Sequence, residues 1–180
     1  MAYTIEKYYP ACLNTADIAQ LRSLFQQLFR TKKERAGELS YASIGTALKT
    51  NHLWMARTDT GAIISMAYLI PNIKMIASES YAVVHDVVTE EKYRGKVSGN
   101  RSLAEAIHRT IIEFAKLHKY KYLELTADPS RDAAKALYAR LGYQIIAFAN
   151  CDDRHGTNLY RLYLNKQSKQ LSLRKPKKRQ

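Results

Sequence analysis

Cysteine is nearly missing from this 180-residue chain, with only Cys12 and Cys151 present. Two cysteines so far apart, in no paired spacing, exclude a disulfide framework and a thiolate metal site, and they read as free thiols of a reducing compartment. The five histidines show no ligand spacing, so no metal is expected. A long apolar run is also absent. The longest, Ala62 to Ile70, contains Ser65 and is far too short to span a bilayer, and the N-terminus lacks the basic and apolar regions of a secretory signal. These absences predict a soluble, cytoplasmic protein that makes no use of a membrane. Nor is there an internal repeat. The length suits one domain able to bury a sizeable core.

Positive charge is what the chain has in excess. The net charge is +13, and seven of those charges lie among the last fifteen residues, which hold no acid: Lys166, Lys169, Arg174, Lys175, Lys177, Lys178 and Arg179. The division expected is therefore a single folded domain over 1–165 and a basic, solvated, disordered tail over 166–180. The tail's functional alternative is a salt-sensitive contact with nucleic acid or an acidic partner. No aromatic residue interleaves its charges, which disfavours stacking on single strands.

Along the chain, alternation in Tyr3 to Tyr9 predicts a strand ended by Pro10. Asn14 or Thr15 then caps a helix with Ile18, Leu21, Leu24, Phe25, Leu28 and Phe29 on its apolar face. Residues 30–38 read as a loop and 44–48 as a short helix. Leu53 to Arg57 and Ala62 to Ile70, joined by Thr58-Asp59-Thr60-Gly61, predict a hairpin ended by Pro71 and Asn72. A strand follows over Tyr81 to Thr89. Asn100 or Ser102 opens a helix carrying Leu103, Ile107, Ile111, Phe114 and Leu117 on one face. Further strands are expected over Lys121 to Thr126, Tyr143 to Phe148 and Asn158 to Leu164.

Between the strand ending at Thr89 and the helix after Asn100 lies Glu90-Glu91-Lys92-Tyr93-Arg94-Gly95-Lys96-Val97-Ser98-Gly99. A strand that passes through a basic, glycine-containing loop into a helix start can hold a diphosphate. The first turn of a helix offers unpaired N–H groups and partial positive charge, and glycines let phosphate approach the main chain. A purely structural connection is the alternative. Later, Leu123-Glu124-Leu125-Thr126 leads through Asp128-Pro129-Ser130-Arg131-Asp132 into a short helix with Leu137, Tyr138 and Leu141, closed by Gly142 at its C-cap. Arg131 is open between two roles, a cofactor phosphate contact and part of a helix-capping segment from Asp128 to Asp132, with the cap preferred.

Asp86-Val87-Val88, Tyr93-Arg94-Gly95-Lys96, Leu123-Glu124-Leu125-Thr126, Leu137-Tyr138, Leu141-Gly142-Tyr143 and Thr157-Asn158-Leu159-Tyr160-Arg161, in this order, resemble the GNAT acetyltransferase superfamily. The resemblance runs from about Val84 to Leu164. It implies an α/β fold, a mixed and largely antiparallel twisted sheet flanked by helices, and acetyl-CoA as co-substrate. Arg94, Gly95, Lys96, Val97, Ser98 and Gly99 would hold the diphosphate, and the strand edge Val87, Val88, Thr89 the pantetheine amides, beside a strand that splays away. Val97 stands where the family's loop has its first glycine, which puts the loop's geometry in question. The family also places a tyrosine at Tyr138, as general acid toward the departing thiolate, although Tyr138 can equally be read as packing. His85 lies where several relatives carry a glutamate. As a residue type that titrates near neutrality it is the first choice of general base, with Asp86 as the second candidate or as a strand-shaping residue. Strand alternation would put these two on opposite faces. Glu79 and Tyr81 are weaker candidates. No Cys or Ser sits in a nucleophile motif, so direct transfer in a ternary complex to a small-molecule amine, a protein amine or an aminoacyl group on RNA is expected. Homodimers paired through late strands are common in relatives. The alternative reading is a non-catalytic member of the fold that binds acyl-CoA or nucleic acid.

Overall fold

Residues 2–8, 13–28, 51–74, 79–95, 97–98, 101–151 and 155–164 are described by the computed structural model. The expected helix at 44–48, the loop 30–38, Phe29, Lys96, Gly99, Asn100 and the tail 166–180 lie outside them. In chain order the elements are β1 (Tyr3–Tyr8), α1 (Thr15–Gln26), β2 (His52–Thr58), β3 (Ile63–Lys74), β4 (Glu79–Thr89), β5 (Val97–Ser98), β6 (Arg101–Ser102), α2 (Leu103–Leu117), β7 (Tyr122–Ala127), α3 (Asp132–Leu141), β8 (Gln144–Cys151) and β9 (His155–Tyr163). Seven strands form one sheet in the order β1-β2-β3-β4-β7-β9-β8. Every neighbouring pair is antiparallel except β4 and β7. This is the mixed, largely antiparallel α/β architecture expected. No helix among the described residues is long and apolar enough to cross a membrane.

Local chemistry sets the element ends. Asn14 caps α1 by accepting from the Asp17 N–H at 2.8 Å, and Ser102 caps α2 by accepting from the Glu105 N–H at 3.2 Å. Gly142 ends α3 at φ +89° and Gly61 turns the β2–β3 hairpin at φ +85°, both left-handed positions that glycine adopts without strain. The expected end of β3 at Pro71 is corrected: the strand runs on to Lys74, with Pro71 opposite Ala82. Because β2 begins at His52, opposite Leu69, β3 beyond that point pairs on one side only among the described residues, and a residue without an N–H is tolerated there. β8 and β9 also reach further into their connection than the sequence predicts.

The helices lie on opposite faces of the sheet. α1 buries Leu21 and Leu24 against Leu53, Met55, Ile63, Met66 and Val88. On the other face α2 buries Leu103, Ile107, Ile111 and Ala115 among Trp54, Ala67, Val84, Leu123 and Tyr160, together with Leu137, Tyr138 and Leu141 of α3. Leu117, expected on the buried face of α2, is 78% exposed.

Candidate active site

The parallel ladder between β4 and β7 is two pairs long, Ala82↔Leu123 and Val83↔Glu124. Beyond it β7 stays paired to β9 through Ala127, and β4 stays paired to β3 through Thr89. The two strands therefore separate, and the β4 edge from Val84 to Thr89 has no strand partner on that side among the described residues. Val87, Val88 and Thr89 lie on this edge. Such an edge offers hydrogen-bonding groups at the spacing of an added extended chain.

β4 is also bulged. Met66 faces Val88 while Tyr68 faces His85, so Ala67 stands opposite both Asp86 and Val87, and Asp86 takes a left-handed backbone at φ +48°. The bulge corrects the expectation that His85 and Asp86 face opposite sides. The His85 ring stacks on Tyr68, with centroids 5.4 Å apart at 19°, and the Tyr68 phenol also interacts with the Asp86 carboxyl. Burial pushes the Asp86 carboxyl above the ordinary carboxylate range, against the opposing pull of Tyr68 and His85. Burial, with the Asp86 charge, pushes Tyr68 up to about 12. Ser65 holds the end of β4 from within the core: its hydroxyl donates to the Val88 carbonyl at 2.9 Å and meets Thr89 Oγ1 at 2.8 Å. Glu79 is ion-paired to Lys121 and Tyr81 stacks on Tyr122, so both are engaged at the far end of the strand.

Tyr138 lies on the α2 side, 7% exposed, with its ring centroid 5.6 Å from that of His108, 5.9 Å from Tyr143 and 5.3 Å from Tyr160. Burial raises its phenol to about 12, while the nearby Arg131 works the other way. Both ring nitrogens of His108 and the hydroxyls of Tyr143 and Tyr160 are buried without a well-formed hydrogen bond. Burial lowers His108 to about 4, although the Ala104 carbonyl one turn back slightly favours its charged form.

Two cations at the mouth of the splay, Arg94 and Arg131, have partners within the chain. Arg94 Nε donates to the Thr89 carbonyl at 2.9 Å, and its Nη2 donates to Gln27 Oε1 at 3.2 Å. Gln27 also accepts from the Glu91 N–H at 3.1 Å. From the other lip Arg131 Nη2 donates to the Leu28 carbonyl at 3.1 Å. The end of α1 is thus clasped from both sides. Asp128 does not cap α3: its carboxylate accepts from the Ser130 N–H and hydroxyl, shaping the turn, and Asp132 pairs with Lys135. Gly95 takes φ +69° with open space where a Cβ would stand, so its glycine serves the backbone turn. Val97 and Ser98 form β5, paired with Ser102 and Arg101 of β6, so the segment expected as an open loop contains a small ribbon.

Three residues of this site were missed by sequence reasoning. Tyr68 and Gln27 approach through register and packing that no local pattern encodes. His108 did carry a signal, because it falls at helical spacing with Ala104, Ile111 and Ala115 on the buried face of α2. Glu124 and Arg161, part of the motif pattern, are bonded to each other, with Arg161 4.3 Å over the Tyr122 ring.

The profile of the Acetyltransferase (GNAT) family matches residues 18–143. No curated protein matches the sequence. Among solved structures, an N-acetyltransferase from Staphylococcus aureus Mu50 is similar at 14% identity, over 91% of this chain and 99% of that one, with a TM-score of 0.66. The NatC complex bound to Gag peptide and CoA contains a chain similar at 12% identity, over 92% and 100%, with a TM-score of 0.73. Arabidopsis thaliana NAA60 with a bisubstrate analogue is similar at 13% identity, over 90% and 100%, with a TM-score of 0.68. At such identities the likeness is one of fold.

Proposed function

The chain belongs to the GNAT acetyltransferase family, and on that premise we propose that it is an acetyl-CoA-dependent N-acetyltransferase passing the acetyl group directly to an amine bound at the same splay. The observation that carries this reading is the β4 edge from Val84 to Thr89, which has no strand partner on that side among the described residues and lies between Tyr138 on one face of the sheet and the Tyr68–His85–Asp86 cluster on the other. Val87, Val88 and Thr89 would pair with the pantetheine amides. Arg94, Gly95, Lys96, Val97, Ser98, Gly99 and Arg131 would hold the diphosphate, the two arginines exchanging their contacts at the end of α1 for phosphate. Acetyl-CoA supplies an acyl carbon on a thiol leaving group. The acceptor reading, a small-molecule or peptide amine, draws support from relatives solved with a peptide and with a bisubstrate analogue. Reducing, cytoplasmic surroundings belong to the same proposal.

An amine of pKa ~10 must lose a proton before it attacks. Asp86, with its carboxyl raised by burial, and His85 beside it are the groups of this chain that can take that proton or pass it to water. Tyr138, near 12, stays protonated and donates a hydrogen bond to the departing sulfur. Complete proton transfer to a thiolate of pKa ~8.5 is uphill by about 5 kcal/mol, so the phenol acts by stabilising developing charge. Tyr138→Phe should therefore lower kcat roughly 10- to 100-fold and leave KM for acetyl-CoA nearly unchanged.

The test pairs calorimetry of acetyl-CoA with thiol release over a panel of primary amines and peptide N-termini. Heat of binding without turnover on any amine would favour the binding-only alternative, which draws its support from the β5–β6 ribbon in the phosphate-binding segment. No heat at millimolar acetyl-CoA would overturn both.

A further inference from the structure

Resting on the role proposed for Tyr138, we infer that His108 is a positioning residue for this phenol, acting through an ordered water enclosed by His108, Tyr143 and Tyr160. Tyr138 is packed by three rings that carry four buried polar atoms, and among the described residues none of the four makes a well-formed hydrogen bond, the Ala104 carbonyl being only in weak contact with His108: His108 Nδ1 and Nε2, Tyr143 Oη and Tyr160 Oη. Buried polar atoms in folded proteins are paired with protein or with water, and a site with several convergent polar groups is where a buried water is held. Packing alone would be served as well by phenylalanine and leucine. Here imidazole and two phenols are buried beside a largely aliphatic core that includes Ile107, Ile111, Leu137 and Leu141.

The cluster can orient the phenol. A hydroxyl that donates toward a sulfur is best aimed when its own oxygen accepts a bond from behind, and each bond in such a chain polarises the next. Neutral imidazole, one donor and one acceptor, can join such a chain without adding charge. Burial holds His108 in that neutral form. It sits on α2, the helix that follows the proposed phosphate-binding segment in the chain, so the same rigid element would set both ends of the cofactor site.

The direct test is a crystal structure of the unliganded protein at a resolution that shows waters. It should hold a water bonded to His108 and linked to the Tyr138 hydroxyl, directly or through Tyr143 or Tyr160, and a dry cluster or a water with no link to Tyr138 would overturn the inference. The functional test is a double-mutant cycle read as thiol release from acetyl-CoA with the fastest amine of the panel. His108→Leu should lower kcat about tenfold, leave KM for acetyl-CoA within about twofold, and shift the alkaline limb of the kcat–pH profile, with His108→Gln recovering most of the rate. In the Tyr138→Phe background His108→Leu should change nothing further. A slow Tyr138→Phe protein beside a His108→Leu protein as fast as the parent overturns the inference alone, as do equal losses in both backgrounds. A Tyr138→Phe protein as fast as the parent overturns the role of Tyr138 and this inference with it. Should the leucine variant fold poorly, the glutamine variant carries the same comparison, and any rate below a tenth of the parent's counts against the recovery expected.

Discussion

Asp86 combines two local penalties: a left-handed backbone that asparagine and glycine occupy more readily, and a carboxyl buried enough to be raised. For a group whose folded value lies above its unfolded one, the stabilising contribution is complete below the unfolded pKa and is lost as pH rises through the folded value. At neutral pH the burial of the Asp86 carboxyl thus weakens the fold relative to acid pH. Asp86→Asn is expected to stabilise by about 0.5–1.5 kcal/mol, raising Tm by roughly 2–4 °C, while slowing acetyl transfer. Thermal melts beside thiol release check this, and a less stable but fully active variant would assign Asp86 to strand shape alone. His108 has the opposite sign. Its folded value near 4 lies below the ordinary 6.5, so its contribution is present above 6.5 and lost as pH falls toward 4. The difference corresponds to about 3 kcal/mol, and urea midpoints measured between pH 7 and 4 should fall by less in His108→Leu than in the parent.

At the scale of elements, α2 shows what could be read in advance and what could not. Its stripe of Leu103, Ile107 and Ile111 follows from spacing alone, with its cap narrowed to Asn100 or Ser102, and so do the hairpin turn at Gly61 and the end of α3 at Gly142, because each depends on residues a few positions apart. The bulge at Asp86, the clasp of Arg94 on Gln27 and the end of the β4–β7 ladder depend on register between strands distant in sequence, which no local pattern contains. The run of β3 through Pro71 has the same origin, since it is the start of β2, not the proline itself, that leaves that position without a second strand neighbour among the described residues. The candidate residues Tyr138, His85 and Asp86 were legible only as resemblance; that His85 and Asp86 both reach Tyr68 required the bulge. α2 also packs against strands on both sides of the narrow β4–β7 junction, with Trp54 and Ala67 on one side and Leu123 and Leu125 on the other. Ile111→Ala should therefore destabilise the whole fold in one transition, by roughly 2–5 kcal/mol, with no early loss of either half of the sheet. Two separate transitions in urea, followed by fluorescence of Trp54 and by far-ultraviolet dichroism, would show that α2 does not join the halves.

Taken as a whole, the sheet is nearly two sheets. β1 to β4 form one ladder and β7, β9 and β8 another, and the hydrogen-bonded seam between them is two residue pairs long. An extended ligand laid along the β4 edge would add main-chain bonds where the seam is missing, while the outer strands, already paired, would gain none. CoA itself, lacking the acetyl group, suffices as the probe. At a concentration about a hundredfold above its Kd, binding to the folded state alone stabilises by about 2.7 kcal/mol, a rise in Tm of roughly 5–10 °C for a chain of this size. Native-state hydrogen exchange should then show protection gained at Val84 to Thr89 and at Leu125 to Ala127 beyond the common gain that global stabilisation gives every strand, β1 and β2 included. An equal gain in all strands, with no excess at Val84 to Thr89, would mean that CoA does not seat in the splay. Protection confined to β8, the outer edge of the sheet, would place CoA elsewhere, because that edge shares no residue with the gap between β4 and β7.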